Sequence, residues 1–132
     1  MQLTGGCFCG AIRYISTAPV IDAGYCHCTI CQKICGAPVV AWVSVPRAGF
    51  QYTQGEPQEF VSSPRGRRHF CSTCGTQLTF AQPHSDEIDL TVASLDEPAA
   101  VPPEYHIWTA HQSPWLHLSD TLPHYLDNGP DR

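Results

Sequence analysis

The chain has 132 residues, enough for one domain over residues 1–132 with a moderate core. Charged residues make up only 14%, with 12 prolines and 10 glycines, a balance that suits short strands and many turns rather than long helices. The formal net charge of −5 argues against a nucleic-acid or anionic-membrane partner.

The chain starts without a basic segment or an apolar stretch of signal-peptide length. A first strand is expected over residues 11–16, after a Gly-rich start. One short helical turn is expected near 29–34. The run 38–45 is β-branched and nearly all apolar and reads as a buried strand; with Ala37 it forms the longest apolar stretch, too short to span a bilayer. Short strands follow at 50–53 and 59–62, and 67–71 leads into a turn. Residues 77–81 and 87–93 alternate, which predicts Leu78, Phe80, Ile88, Leu90 and Val92 on the buried face. The segment 99–126, rich in Pro and aromatics, is expected to wrap the sheets as irregular structure. The whole reads as an all-β protein of small stacked antiparallel sheets, soluble and cytoplasmic.

Eight cysteines in a reducing compartment point to metal rather than to disulfides. Their spacing strengthens this: close Cys-x-Cys and Cys-x-x-Cys pairs cross-link to each other only with strain but converge on an ion easily. Cys7 and Cys9 share a face of an extended segment, with Phe8 expected to point the other way, into the core. Cys71-Ser72-Thr73-Cys74-Gly75 is a zinc-knuckle pattern that supplies two ligands and needs two more. Cys7 and Cys9 are the natural donors, giving a closed, structural Cys₄ site. Cys26, Cys28 and Cys31 place three sulfurs within six residues, and three ligands plus a vacancy is the arrangement of catalytic zinc. His27 lies on the opposite face and is expected to bond to the sheet or to water rather than to that ion. Cys35 follows Cys31 by one helical turn. It either closes the second site as a fourth ligand or is a small buried bystander; the bystander reading is preferred. Thiolates select zinc, with iron the lesser option, so two zinc ions per chain are expected.

These clusters, in this order, resemble the glutathione-dependent formaldehyde-activating family, whose domain is shared with centromere protein V. The resemblance runs from about Leu3 to Leu126 and rests on Gly5–Tyr14 (GGCFCGAIRY), Cys26–Lys33 (CHCTICQK) and Phe70–Thr76 (FCSTCGT). His106-Ile107-Trp108, Pro114-Trp115 and Leu122-Pro123 add to it. It implies the Mss4-like fold with zinc knuckles. It also implies a structural zinc on Cys7, Cys9, Cys71 and Cys74 and a catalytic zinc on Cys26, Cys28 and Cys31. The sequence departs from the pattern at Cys35, where relatives commonly carry a small residue other than cysteine.

The activity implied is that of a carbon–sulfur lyase, joining glutathione or another small thiol to formaldehyde or a related carbonyl. Three thiolates on Zn²⁺ leave a net negative site, so nearby cations are expected. Lys33 is local to the second cluster, and Arg65, Arg67 and Arg68 are candidates for the carboxylates of glutathione. Tyr105, Trp108, Trp115 and Tyr125 are candidate pocket walls or plain core residues. His106, His111, His117 and His124 are candidate acid–base groups that no spacing distinguishes. The rival function is a zinc-stabilised binding module without catalysis. A methionine sulfoxide reductase, also of Mss4-like fold, would need an activated free cysteine, and nothing around Cys35 resembles that active site.

Overall fold

A computed structural model describes residues 2–130. Its strands are β1 (Leu3–Gly6), β2 (Arg13–Ser16), β3 (Asp22–Cys26), β4 (Val40–Pro46), β5 (Phe50–Gln54), β6 (Gln58–Ser63), β7 (Gly66–Phe70), β8 (Gln77–Ala81), β9 (Glu87–Thr91) and β10 (His106–Ile107). One short helix, α1 (Thr29–Cys35), lies between β3 and β4. No helix among the described residues is long and apolar enough to cross a membrane.

Two sheets result, one of three strands in the order β1-β2-β5 and one of seven in the order β10-β3-β4-β9-β8-β7-β6. The β-rich architecture of stacked sheets is the one expected. Two details differ from the expectation. The second sheet is not small, and its β10–β3 pair is parallel, with His106 opposite Tyr25 and Ile107 opposite Cys26. That pairing recruits a two-residue strand from the segment expected to be irregular. So short a strand carries no alternation signal of its own and forms only because the edge of β3 is there to accept it.

The core lies between the sheets. Val43 and Val45 of β4 meet Leu90 and Ile88 of β9 in register, and all are buried. From the three-stranded sheet, Tyr14, Phe50 and Tyr52 pack against this layer. The two phenol groups that enter the core both find partners: Tyr14 with the Ser94 hydroxyl and Tyr52 with Thr79 Oγ1, each at 2.7 Å. Buried hydroxyls need such partners.

The other face of the large sheet carries the functional geometry. Side chains alternate across a sheet, so Gly24 and Cys26 on β3, Trp42 and Ser44 on β4, Asp89 on β9, Phe80 on β8 and Arg68 on β7 share the face away from that layer. Phe80, expected in the core with Leu78, is therefore on the open face beside Trp42, at 6.4 Å between ring centres. Leu78 is fully buried as expected, because β8 carries an extra residue there, its register against β7 shifting between Thr79 and Gln77, which breaks the alternation. Gly24 is needed here: a Cβ at this position would come within 2.2 Å of the Tyr105 ring, which lies flat on β3.

Candidate functional site: two cysteine sets and a cationic cavity

The first set joins distant parts of the chain. Cys7 and Cys9 lie just after β1, and Cys71 and Cys74 just after β7; all four sulfurs lie within 4.8 Å of one another. Each pair sits in a tight turn. The Gly10 amide donates to the Cys7 carbonyl at 3.2 Å, and the Gly75 amide to the Cys71 carbonyl at 2.8 Å. Both turns close through glycine at φ +83, a left-handed conformation that other residues adopt at a cost. The amide of Ile12 donates to Cys7 Sγ at 3.2 Å. Thr76 Oγ1, 3.2 Å from Cys74 Sγ, helps to hold the Cys74 thiol down to about 5. Bonds of this kind favour thiolate. The turn also corrects one expectation. Cys7–Gly10 is not extended, so Phe8 stands at the turn apex, 93% exposed, rather than in the core.

The second set is local. Cys26 ends β3, Cys28 caps α1 by accepting from the Cys31 amide at 3.2 Å, and Cys31 is the buried residue of that helix. The three sulfurs also lie within 4.8 Å of one another. They share protons as one group: contact with Cys28 pushes the Cys26 thiol up, and the same contact pushes Cys28 down to about 2.

Both sets fit a tetrahedral ion. Zinc–sulfur bonds of about 2.3 Å give a tetrahedron with edges of about 3.8 Å. The observed sulfur–sulfur distances are 3.6 Å for Cys7–Cys9, 3.7 Å for Cys9–Cys71 and 3.6 Å for Cys26–Cys31. Thiolate donors at this spacing suit zinc. No disulfide forms among the eight cysteines. Cys35 is outside both sets. It lines a separate, shallower groove of about 890 Å³ beside the first set, and burial pushes its thiol up to about 11. The one arginine of that groove, Arg13, is already held by Asp96.

The second set opens into a cavity of about 320 Å³ on the far face of the large sheet. Its apolar walls are Trp42, Phe80, Tyr105, Ile107 and Trp108. Trp108 takes a left-handed backbone at φ 55, uncommon for a bulky residue, and its ring stacks on His111 at 5.6 Å. The polar lining includes Ser44, which donates to Asp89 at 2.6 Å, together with Gln82 and Asn128.

Arg68 is the cation of this cavity. It is only 6% exposed, with its guanidinium 4.9 Å from the Phe80 ring centre and 5.9 Å from that of Trp42. Nε donates to Ser62 Oγ at 3.0 Å, and Nη2 reaches Cys31 Sγ at 3.7 Å. Nη1 is buried without a partner among the described residues. A desolvated guanidinium beside three sulfurs offsets their negative charge, and its free N–H groups are set to take an anionic oxygen.

The other predicted cations are elsewhere. Lys33 lines a shallow depression on α1 with Trp115. Arg65 is exposed in the β6–β7 turn, and Arg67 points to the opposite face, 3.5 Å from Glu59. Of the tail aromatics, Tyr105 and Trp108 reach the cavity, Tyr125 packs on Tyr105 at 6.2 Å, and Trp115 is 69% exposed. His27 is no part of the three-sulfur set; it is fully buried and bonded to His106, Nε2 to Nδ1 at 2.9 Å. That pairing, and the Ser44–Asp89 pair, could not be read from spacing. The residues are 79 and 45 positions apart and meet only through strand pairing.

A family model described as glutathione-dependent formaldehyde-activating enzyme matches residues 2–111. A protein of Halomonas elongata with the provisional name glutathione-dependent formaldehyde-activating enzyme is 31% identical over 129 residues, covering 89% of this chain and 82% of its own length. A crystal structure of a Rhodobacter sphaeroides protein superposes with a TM-score of 0.54 at 22% identity, covering 70% of this chain and 87% of the other, and shows the same fold. With five-sixths of its length matched and its cysteines gathered as the motifs require, the chain belongs to the glutathione-dependent formaldehyde-activating family.

Proposed function

We propose that this protein is a zinc-dependent enzyme of carbon–sulfur lyase type, making or breaking the adduct of glutathione, or another small thiol, with formaldehyde or a related carbonyl. The observation that carries this reading is the meeting of Cys26, Cys28 and Cys31 with the unpartnered Nη1 of Arg68 in one cavity. In the forward direction the sulfur of R–SH attacks the carbonyl carbon. A carbon–sulfur bond forms, the carbonyl π pair moves to oxygen, and the thiol proton reaches that oxygen through water, giving R–S–CH₂–OH.

Zinc on the three cysteines would hold the incoming thiol as thiolate at neutral pH, where a free thiol of pKa about 8.5 is mostly protonated. Arg68 offsets the charge of the sulfurs and offers Nη1 to an oxygen of the substrate, a carboxylate or the developing alkoxide. Trp42, Phe80 and Trp108 exclude bulk water and strengthen that contact. Lys33 and Arg65 are left to parts of a long thiol that project past the rim, whereas Arg67, on the opposite face beside Glu59, takes no part. Zinc on the four-cysteine set is structural, and eight free thiols suit a reducing compartment such as the cytoplasm.

Cobalt substitution tests the vacancy. Adding glutathione to the cobalt protein should raise the sulfur-to-metal charge-transfer absorption. Cys35→Ala should gain the same amount, because Cys35 lies outside the set. A response confined to Cys35→Ala would mean that Cys35 closes the site, and would favour a non-catalytic module.

A further inference from the structure

We infer that His106, Asp120 and His124 form a third metal site, built from nitrogen and oxygen donors, that takes a divalent ion of the zinc class and clasps the C-terminal tail against the cavity wall. The ligand atoms of the three residues lie within 4.8 Å of one another. His106 Nε2 is 2.9 Å and 3.1 Å from the two Asp120 oxygens. The His124 ring stacks on that of His106 at 4.4 Å between centres, and the two backbones form a parallel bridge. Two imidazoles and one carboxylate gathered at this spacing, with Asp120 and His124 on the exposed side so that the His124 ring can swing off the face of His106 toward an ion, suit zinc or another borderline ion and disfavour the hard cations calcium and magnesium.

The second ring nitrogen of His106 supports the assignment. A histidine that binds a metal through one nitrogen donates its other N–H to a fixed partner. His106 is fully buried, and its Nδ1 lies 2.9 Å from His27 Nε2. With an ion on Nε2, His106 Nδ1–H donates to His27. Without one, Nε2–H donates to Asp120 and His27 supplies the proton of the inner bond. His27 Nδ1 has no other partner among the described residues, so this ring is free to adopt either tautomer.

The clasp has a purpose in the fold. The tail supplies Asn128 and Pro130 to the cavity wall. It is held by backbone bonds to β10 and its flank: His106 to Pro123 at 2.8 Å, Tyr125 to His106 at 2.9 Å and Trp108 to Asp127 at 2.8 Å. An ion bridging His106 to Asp120 and His124 would lock the same segment through side chains.

Zinc titration of the full chain, with both cysteine sets already loaded, tests this by calorimetry. A third, weaker equivalent of Zn²⁺ should bind. In the cobalt protein it should add ligand-field absorption without sulfur charge transfer. His124→Ala alters an exposed residue and need not disturb folding. Since loss of an outer partner alone costs about 10–100-fold in metal affinity, loss of this ligand should weaken the third equivalent at least about tenfold. Asp120→Asn should act in the same direction, with the first two equivalents untouched. The inference is overturned if no third equivalent binds. It is equally overturned if the third equivalent survives both substitutions unchanged, which would assign it to other surface histidines.

Discussion

The two cysteine sets are built from the same ligand at the same sulfur spacing, yet they differ in how the chain reaches them. The four-cysteine set ties residues 7–9 to residues 71–74 and has Cys9 exposed at the surface. The three-cysteine set spans residues 26–31, is mostly buried, and faces a cavity with its own cation. On the function proposed above, a metal that links remote segments would contribute to folding itself, while one held by a strand end and a helical turn would be dispensable to the fold and free to serve chemistry.

The largest effect should come from breaking the long-range link. Cys74→Ser should unfold or insolubilise the protein, since structural zinc contributes on the order of 10–16 kcal/mol in small zinc-finger peptides. Cys28→Ser should lose one of two tightly held zinc ions and keep its β spectrum. Circular dichroism with elemental zinc counts checks both; a folded Cys74→Ser protein with two zinc ions would reverse the assignment.

Next is the buried cation beside the second set, Arg68. Arg68→Met should keep the zinc count and the fold. It should lower kcat/KM for thiol–formaldehyde adduct exchange by about 10–100-fold, the value of a lost charge-assisted hydrogen bond of about 1.5–3 kcal/mol. Exchange measured by NMR is suitable, because thiols add to formaldehyde unaided and the uncatalysed rate must be subtracted. Arg68→Lys should fall between, since an ammonium lacks the planar fork. An unchanged rate in Arg68→Met would separate this cation from the chemistry.

The smallest effect concerns the region beside the first set. Arg13 donates to both Asp96 oxygens, at 2.9 Å and 2.5 Å, and holds that carboxyl down to about 2. Because the folded pKa lies below the ordinary carboxylate value, the unfolded chain binds more protons between about pH 4 and pH 2. The pair's stabilisation is thus whole above pH 4 and is lost as pH falls through 2. The pair is partly exposed, so the contribution is under about 1 kcal/mol. Asp96→Asn should flatten the acid limb of the stability curve by that amount and leave neutral-pH zinc content alone, as urea unfolding at several pH values would register.

Much of this was legible from residues close in sequence. Cys26, Cys28 and Cys31 needed only a strand end and a turn to converge, and Gly75 announced the turn after Cys71. The strand 77–81 was recognisable because alternation is a local property of the backbone. The partnership of the remote cysteine pairs was legible by elimination, as a knuckle cannot be left half-ligated. Phe8 was misplaced because one tight turn in place of extended chain reverses which side chain is covered. Which arginine serves the cavity was beyond sequence: Arg67 and Arg68 are chemically alike, and the pleat of β7 sends them to opposite faces of the sheet. Strand register then sets Arg68 over Phe80 and beside Trp42, and parallel pairing of β10 brings His106 to His27. The sequence by itself determined the two candidate metal-ligand sets, because ligand type and close spacing are local. Only the tertiary structure decided which cation, which aromatic rings and which histidines surround it, because those neighbours meet through pairing of strands remote in the chain.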